Sequence, residues 1–121
     1  MQEFKLKEEE QIIETVKCDY WENSFLFIYE KVNGEIIITN QRIIFMMTVL
    51  TKRYERVELN IENISTVEKC NVGSVLPLNP TGIKIGLNNG RYYKFSSIKR
   101  NKIIEAVRNL ISQKNAKWVA N

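Results

Sequence analysis

Groups able to move a proton or hold a metal are scarce in this chain, which contains no histidine at all. That removes the commonest general base and the commonest metal ligand. The two cysteines, Cys18 and Cys70, fit no metal or redox spacing and are too few for a disulfide framework. Both read as small buried hydrophobes. No Gly-Lys-Ser/Thr phosphate loop is present. Carboxylates gather at Glu8-Glu9-Glu10 and at Glu55/Glu58. Such pairs can do acid–base work, but the first set falls in a charged arm and the second on the outer face of a strand, where solvated charge is the simpler reading. The chain therefore reads as a binding protein and not an enzyme, with no cofactor, no metal and no small-molecule substrate.

Three features could bind, one of them a set of bases on turns, Lys31, Lys52, Arg53 and Arg91. The aromatic group Tyr20, Trp21, Phe25, Phe27 and Tyr29 is the second. On an open loop it is a membrane wedge or a partner hot spot; on a strand it is core, or an edge for self-association. The basic C-terminal segment, with Lys99, Lys102 and Lys117 on one flank of a helix, is the third. A nucleic-acid-reading helix needs its bases converging on a free face, and this one spends another face on the core, so nucleic acid is not an expected partner. The net charge of +4 is uneven: residues 1–30 carry eight acids and three bases, and residues 99–121 carry six bases and one acid.

The elements that must position these residues follow from the pattern. A chain of 121 residues, 44% apolar and 26% charged, is one ordinary globular domain. No apolar run approaches the roughly 20 residues of a bilayer span, and Met1 to Lys5 lacks the basic-then-apolar order of a secretory signal. A cytoplasmic location is expected, with peripheral membrane attachment as the alternative. Residues 1–9 read as a loose arm, residues 10–112 as the domain, and residues 113–121 as an extension of its last helix. From Gln11 the chain is strand-like, with a helix over Lys7 to Lys17 as the competing reading. Phe25 to Tyr29 is apolar on both faces. Asn33-Gly34 is a hairpin-turn signal. Ile36 to Thr39 and Ile43 to Val49 are apolar nearly throughout, so both faces should be covered. Arg56 to Ile61 alternates, with Val57, Leu59 and Ile61 inward. Ile64 to Cys70 is another short strand, and Asn71 to Pro80 is a loop. Gly82 to Leu87 and Arg91 to Phe95 flank a second Asn-Gly turn, with Tyr93 and Phe95 inward. Ser96 or Ser97 can cap a helix whose apolar side is Ile103, Ile104, Val107, Leu110, Ile111 and Trp118.

This order, with these residues, resembles the GRAM branch of the pleckstrin-homology (PH) superfamily. Gly34, Thr39, Asn40, Arg42 and Phe45 match the family's first pattern. Ile61 to Lys69 match its Ile-then-Val-Glu-Lys strand, Gly82 to Phe95 its strand–turn–aromatic strand, and Lys99-Arg100 through Ile111 its basic-headed helix. The spacing is similar to that of the myotubularin PH-GRAM domain and of small bacterial PH-like domains. The resemblance implies a mainly β fold: a two-sheet antiparallel sandwich or barrel of about seven strands, capped by one C-terminal helix. It also implies a binding module for lipid headgroups or proteins. In such a fold the loops after strands one, three and six share an end, which gathers Lys31, Lys52, Arg53 and Arg91 into a rim for an anionic headgroup or membrane. Thr39-Asn40 falls at the opposite end, in a structural role. The chain departs from the family in a longer connection from Asp19 to Gly34, where Asp19, Glu22 and Glu30 face only Lys31. Protein interaction or self-assembly through the Tyr20–Tyr29 segment or a strand edge is thus the leading expectation. Peripheral binding to anionic lipid through the basic rim is the alternative.

Overall fold

Seven strands and one helix follow one another in the computed structural model, which describes residues 4–23, 29–47, 56–70 and 81–120. They are β1 (Ile12–Asn23), β2 (Tyr29–Thr39), β3 (Arg42–Met47), β4 (Arg56–Asn60), a 3-10 turn (Ile61–Asn63), β5 (Ile64–Cys70), β6 (Gly82–Leu87), β7 (Tyr92–Ser96) and α1 (Arg100–Ala120). The expected strand from Phe25 falls outside the described residues up to Ile28. Lys52 and Arg53 of the expected basic rim and the loop from Asn71 to Pro80 also fall outside them. No helix forms over Lys7 to Lys17, because β1 takes its second half.

Every pairing is antiparallel, in the order β4-β3-β2-β1-β7-β6-β5. The edges β4 and β5 do not pair, so the barrel is not closed. The sheet is nevertheless doubled over. Phe45 on β3 and Phe95 on β7 are three strand spacings apart along the sheet, about 14 Å if it were flat, yet their ring centroids are 5.9 Å apart. The two layers of the expected sandwich are thus halves of one sheet, and the β1–β2 hairpin belongs to both. Gly34 to Ile38 of β2 pair with β3, while Asp19 to Trp21 of β1 pair with β7. The seam falls at the Cys18–Gly34 pair.

Gly34 is where the expected turn fails. Asn33-Gly34 lies inside β2, opposite Asp19 and Cys18. A side chain at Gly34 would collide with the Met46 carbonyl and stand 2.8 Å from the Phe45 ring. The glycine serves close approach at the seam, not chain reversal. The second Asn-Gly pair does make a turn: Gly90 has φ +89°, a backbone open mainly to glycine.

The core lies between the halves. Tyr20, Ile36, Ile38, Ile43, Phe45, Ile64, Ile83, Ile85 and Phe95 supply the sheet side, and Ile103, Ile104, Val107 and Leu110 the helix side. Each such side chain is stabilising by about 1.5–3 kcal/mol relative to exposure, enough to override the weak helix propensity of β-branched residues in α1. Ser97 anchors the helix start: its hydroxyl donates to the Lys17 carbonyl (2.7 Å) and accepts from the Lys99 N–H (3.1 Å). Near the other end Lys114 snorkels inward, donating to the carbonyls of Ile61 (3.2 Å) and Ile64 (2.7 Å).

Candidate functional site

Two concentrations of charge stand out, and they differ in kind. The first surrounds Arg42, a lone cation at the head of an apolar strand. Its side chain is 4% exposed, and that of Glu10 is fully buried beside it. Arg42 Nε donates to Glu10 Oε2 (2.7 Å) and Nη2 to Glu10 Oε1 (2.9 Å), a bidentate fork. Nη2 also donates to the Lys5 carbonyl, and Nη1 donates to Glu58. The Thr39 hydroxyl donates to Glu10 at 2.6 Å and accepts from the Arg42 N–H. The Arg42 hydrogen bond, opposed by burial and assisted by Thr39, the Lys7 N–H and the Arg42 charge, holds the Glu10 carboxyl down to about 2.

Residues 4–10 are therefore not a loose arm. Asn40 donates to the Glu9 carbonyl and accepts from the Gln11 N–H, Gln41 donates to the Glu8 carbonyl, and the Phe4 ring lies 5.2 Å from the Arg42 guanidinium carbon. Glu9 adopts φ 62°, which turns Glu10 inward. The arm meets β3 at Arg42, and the buried Ile44 lies on the same face of that strand. The reading of Glu8 to Glu10 as wholly solvated fails at Glu10, because its partner sits 32 residues away. The Thr39-Asn40-Gln41-Arg42 stretch is thus a clasp for residues 5–11, and its polar groups are engaged.

The second concentration is open. On the outer face of β5, β6, β7 and the β1–β2 hairpin, directly opposed residues form one row: Glu68–Lys84–Lys94–Trp21–Lys31. Directly opposed residues share a face, and the inward positions on either side hold Val67, Ile83, Ile85, Phe95 and Tyr20. Lys84 and Lys94 sit side by side, 4.5 and 5.6 Å from the centroid of the half-exposed Tyr92 ring. Among the described residues neither has an ion pair. Trp21 is fixed by its indole N–H, which donates to Ser96 Oγ at 2.7 Å. Cys70 and Arg100 lie close by, and the Arg100 Nε is buried without a hydrogen-bond partner. Burial raises the Cys70 thiol. At Cys18 burial, then the Asp19 charge, pushes the thiol up to about 12, so neither cysteine is a ready nucleophile.

The sequence-derived candidates scatter against this map. Lys31 is exposed but lies within β2 and not in a turn. Arg91 is exposed on the β6–β7 turn, and Lys52 and Arg53 lie outside the described residues. Tyr20 is core: its ring packs 5.7 Å from Phe45 and 5.5 Å from Phe95, which removes it from any interface. Trp21, the next residue, faces out. Phe25 and Phe27 lie outside the described residues, and Tyr29 opens β2. The lysine pair was missed, although folding the hairpin about Asn88-Asn89-Gly90 sets Lys84 opposite Lys94.

Among the described residues no three His, Cys, Asp or Glu side chains could hold a metal ion, and no helix is long and apolar enough to cross a membrane. The sequence pattern of the GRAM domain matches residues 1–116. The chain belongs to the GRAM domain family. Solved structures similar to this GRAM domain have the PH-like fold. The C-terminal domain of an unknown protein from Leishmania infantum superposes with TM-score 0.69 at 15% identity, over 86% of each chain. The Vps36 N-terminal PH domain gives 0.61 at 17% identity, over 88% of this chain and 86% of its own. The Slm1 PH domain gives 0.55 at 17% identity, over 83% and 95%. No curated protein matches. GRAM and PH-like domains are generally non-catalytic binding modules for lipids or proteins.

Proposed function

We propose that this GRAM domain is a peripheral binder of anionic lipid headgroups, using the outer face that carries Lys84, Lys94 and Lys31. The observation that supports this reading most is the Lys84–Lys94 pair. Like charges directly opposed across a ladder are destabilising, and although Glu68 stands opposite Lys84, neither lysine is held in an ion pair among the described residues. A local rule broken without internal compensation marks a functional site. Tyr92 beneath the ammonium groups and Trp21 beside them are aromatics of the kind enriched at membrane–water interfaces. In sequence, Trp21 and Lys31 flank the apolar run Phe25-Leu26-Phe27-Ile28. The Slm1 PH domain, described as binding ligand at an atypical site, offers precedent for a PH fold using a face other than its usual rim.

Each lysine near an anionic surface contributes about 1 kcal/mol. Co-sedimentation with vesicles containing phosphatidylserine should therefore weaken roughly fivefold for each of Lys84→Ala and Lys94→Ala, and should fall further with added salt. Wild-type protein that stays in the supernatant at low salt would refute the reading. Equal binding by the Lys84→Glu/Lys94→Glu variant would move the site elsewhere.

A further inference from the structure

A groove at the far corner of the domain points to a second kind of partner. Its walls are the arm, the β2–β3 turn, the 3-10 turn, the β6–β7 turn and the C-terminal half of α1, and its volume is about 1120 Å³. Carboxamides dominate the lining. Three of them already hold main chain from a separate segment: Asn40 grips the Glu9 carbonyl and the Gln11 N–H, Gln41 the Glu8 carbonyl, and Asn88 the Glu62 carbonyl. Asn60, Asn63, Gln113 and Asn115 line the same groove, and their side chains have no hydrogen-bond partner among the described residues. The floor is fixed in advance, because Lys114 ties α1 to the 3-10 turn through two carbonyls.

A carboxamide presents a donor and an acceptor side by side, as a peptide group does. A surface whose occupied amides all read backbone, and whose remaining amides are unspent, suits an extended chain. The geometry points to this groove as a docking site for an extended peptide segment of a partner protein, held through its main chain. The lining has no aromatic side chain on which a sugar ring could stack. Its formal charges, Lys7 and Lys114 against Glu62, include one ammonium already committed to carbonyls, so strongly charged ligands are not favoured. Binding here is independent of the lysine face and of vesicles.

The test is selection of a phage-displayed random dodecapeptide library on the full chain, with the Asn63→Ala/Gln113→Ala variant as counter-selection. Both positions are exposed, so the variant should fold as wild type does, which its melting curve verifies. Selected peptides should shift the amide resonances of Asn63, Asn88 and Gln113, bind the variant at least tenfold more weakly, and lose at least tenfold when alternate backbone nitrogens are N-methylated. The proposal is overturned if no peptide survives counter-selection, if shifts map elsewhere, or if N-methylation leaves affinity unchanged. It is equally overturned if maltohexaose, and no peptide, gives saturable shifts in the groove.

Discussion

Arg42 and the Lys84–Lys94 pair are both cations on outer strand faces, and they have opposite fates. Arg42 is enclosed by a bidentate carboxylate, a second acid, a backbone carbonyl and an aromatic ring. The lysines are partly buried, share one aromatic ring and have no ion pair among the described residues. The family's first pattern, Gly34 to Phe45, lies in the enclosed region, so what that pattern marks here is a device for closing the fold, whereas the available charge sits on the later strand–turn–strand stretch. Stability and binding should therefore be separable by mutation.

The largest effect should come from breaking the enclosed pair. Glu10→Ala leaves a buried guanidinium without its main counter-charge, a change that costs about 3–5 kcal/mol. Urea unfolding should show that loss, while the folded fraction keeps its affinity for anionic vesicles. A loss under 1 kcal/mol would mean that the arm is dispensable. Gly34→Ala comes next, at about 1–3 kcal/mol from overpacking at the seam, read in the same experiment. Acid should then find the enclosed region first. The Glu10 carboxyl is held down to about 2 in the fold, against an ordinary value near 4.3. Its stabilisation is complete above the ordinary value and is lost as pH falls through the window from about 5 to 2. Unfolding free energy measured across that window should drop less in Glu10→Gln than in wild type. The smallest effects belong to the open region: Lys84→Glu or Lys94→Glu should change stability by no more than about 0.5 kcal/mol while weakening vesicle binding roughly thirtyfold. A large stability loss there would erase the contrast between the two regions.

What could be read in the sequence followed the range of the interaction. Local patterns were plain: the alternation of β6 and β7, the Asn88-Asn89-Gly90 turn, and the apolar stripe of α1 each depend on neighbours within a few residues. Asn33-Gly34 misled because the same dipeptide serves a turn or a close crossing, and only the packing of Phe45 and Met46 decides between them. Tyr20 and Trp21 are adjacent and point to opposite faces, so their roles depended on which strand pairs with β1. Glu10 resembled its solvated neighbours Glu8 and Glu9. The usable signal was on the other partner, since an arginine opening the run Ile43 to Met47 needs a counter-charge from somewhere.

The seam at Cys18 and Gly34 has a consequence for how the molecule comes apart. Because β1 and β2 are shared by both halves of the sheet, neither half possesses a complete set of strands of its own. Separating them would require tearing one hairpin along its length. Heating should therefore produce a single cooperative transition, with calorimetric and van't Hoff enthalpies in agreement. The amides flanking the seam should be among the last to exchange with solvent, opening only when the whole molecule does.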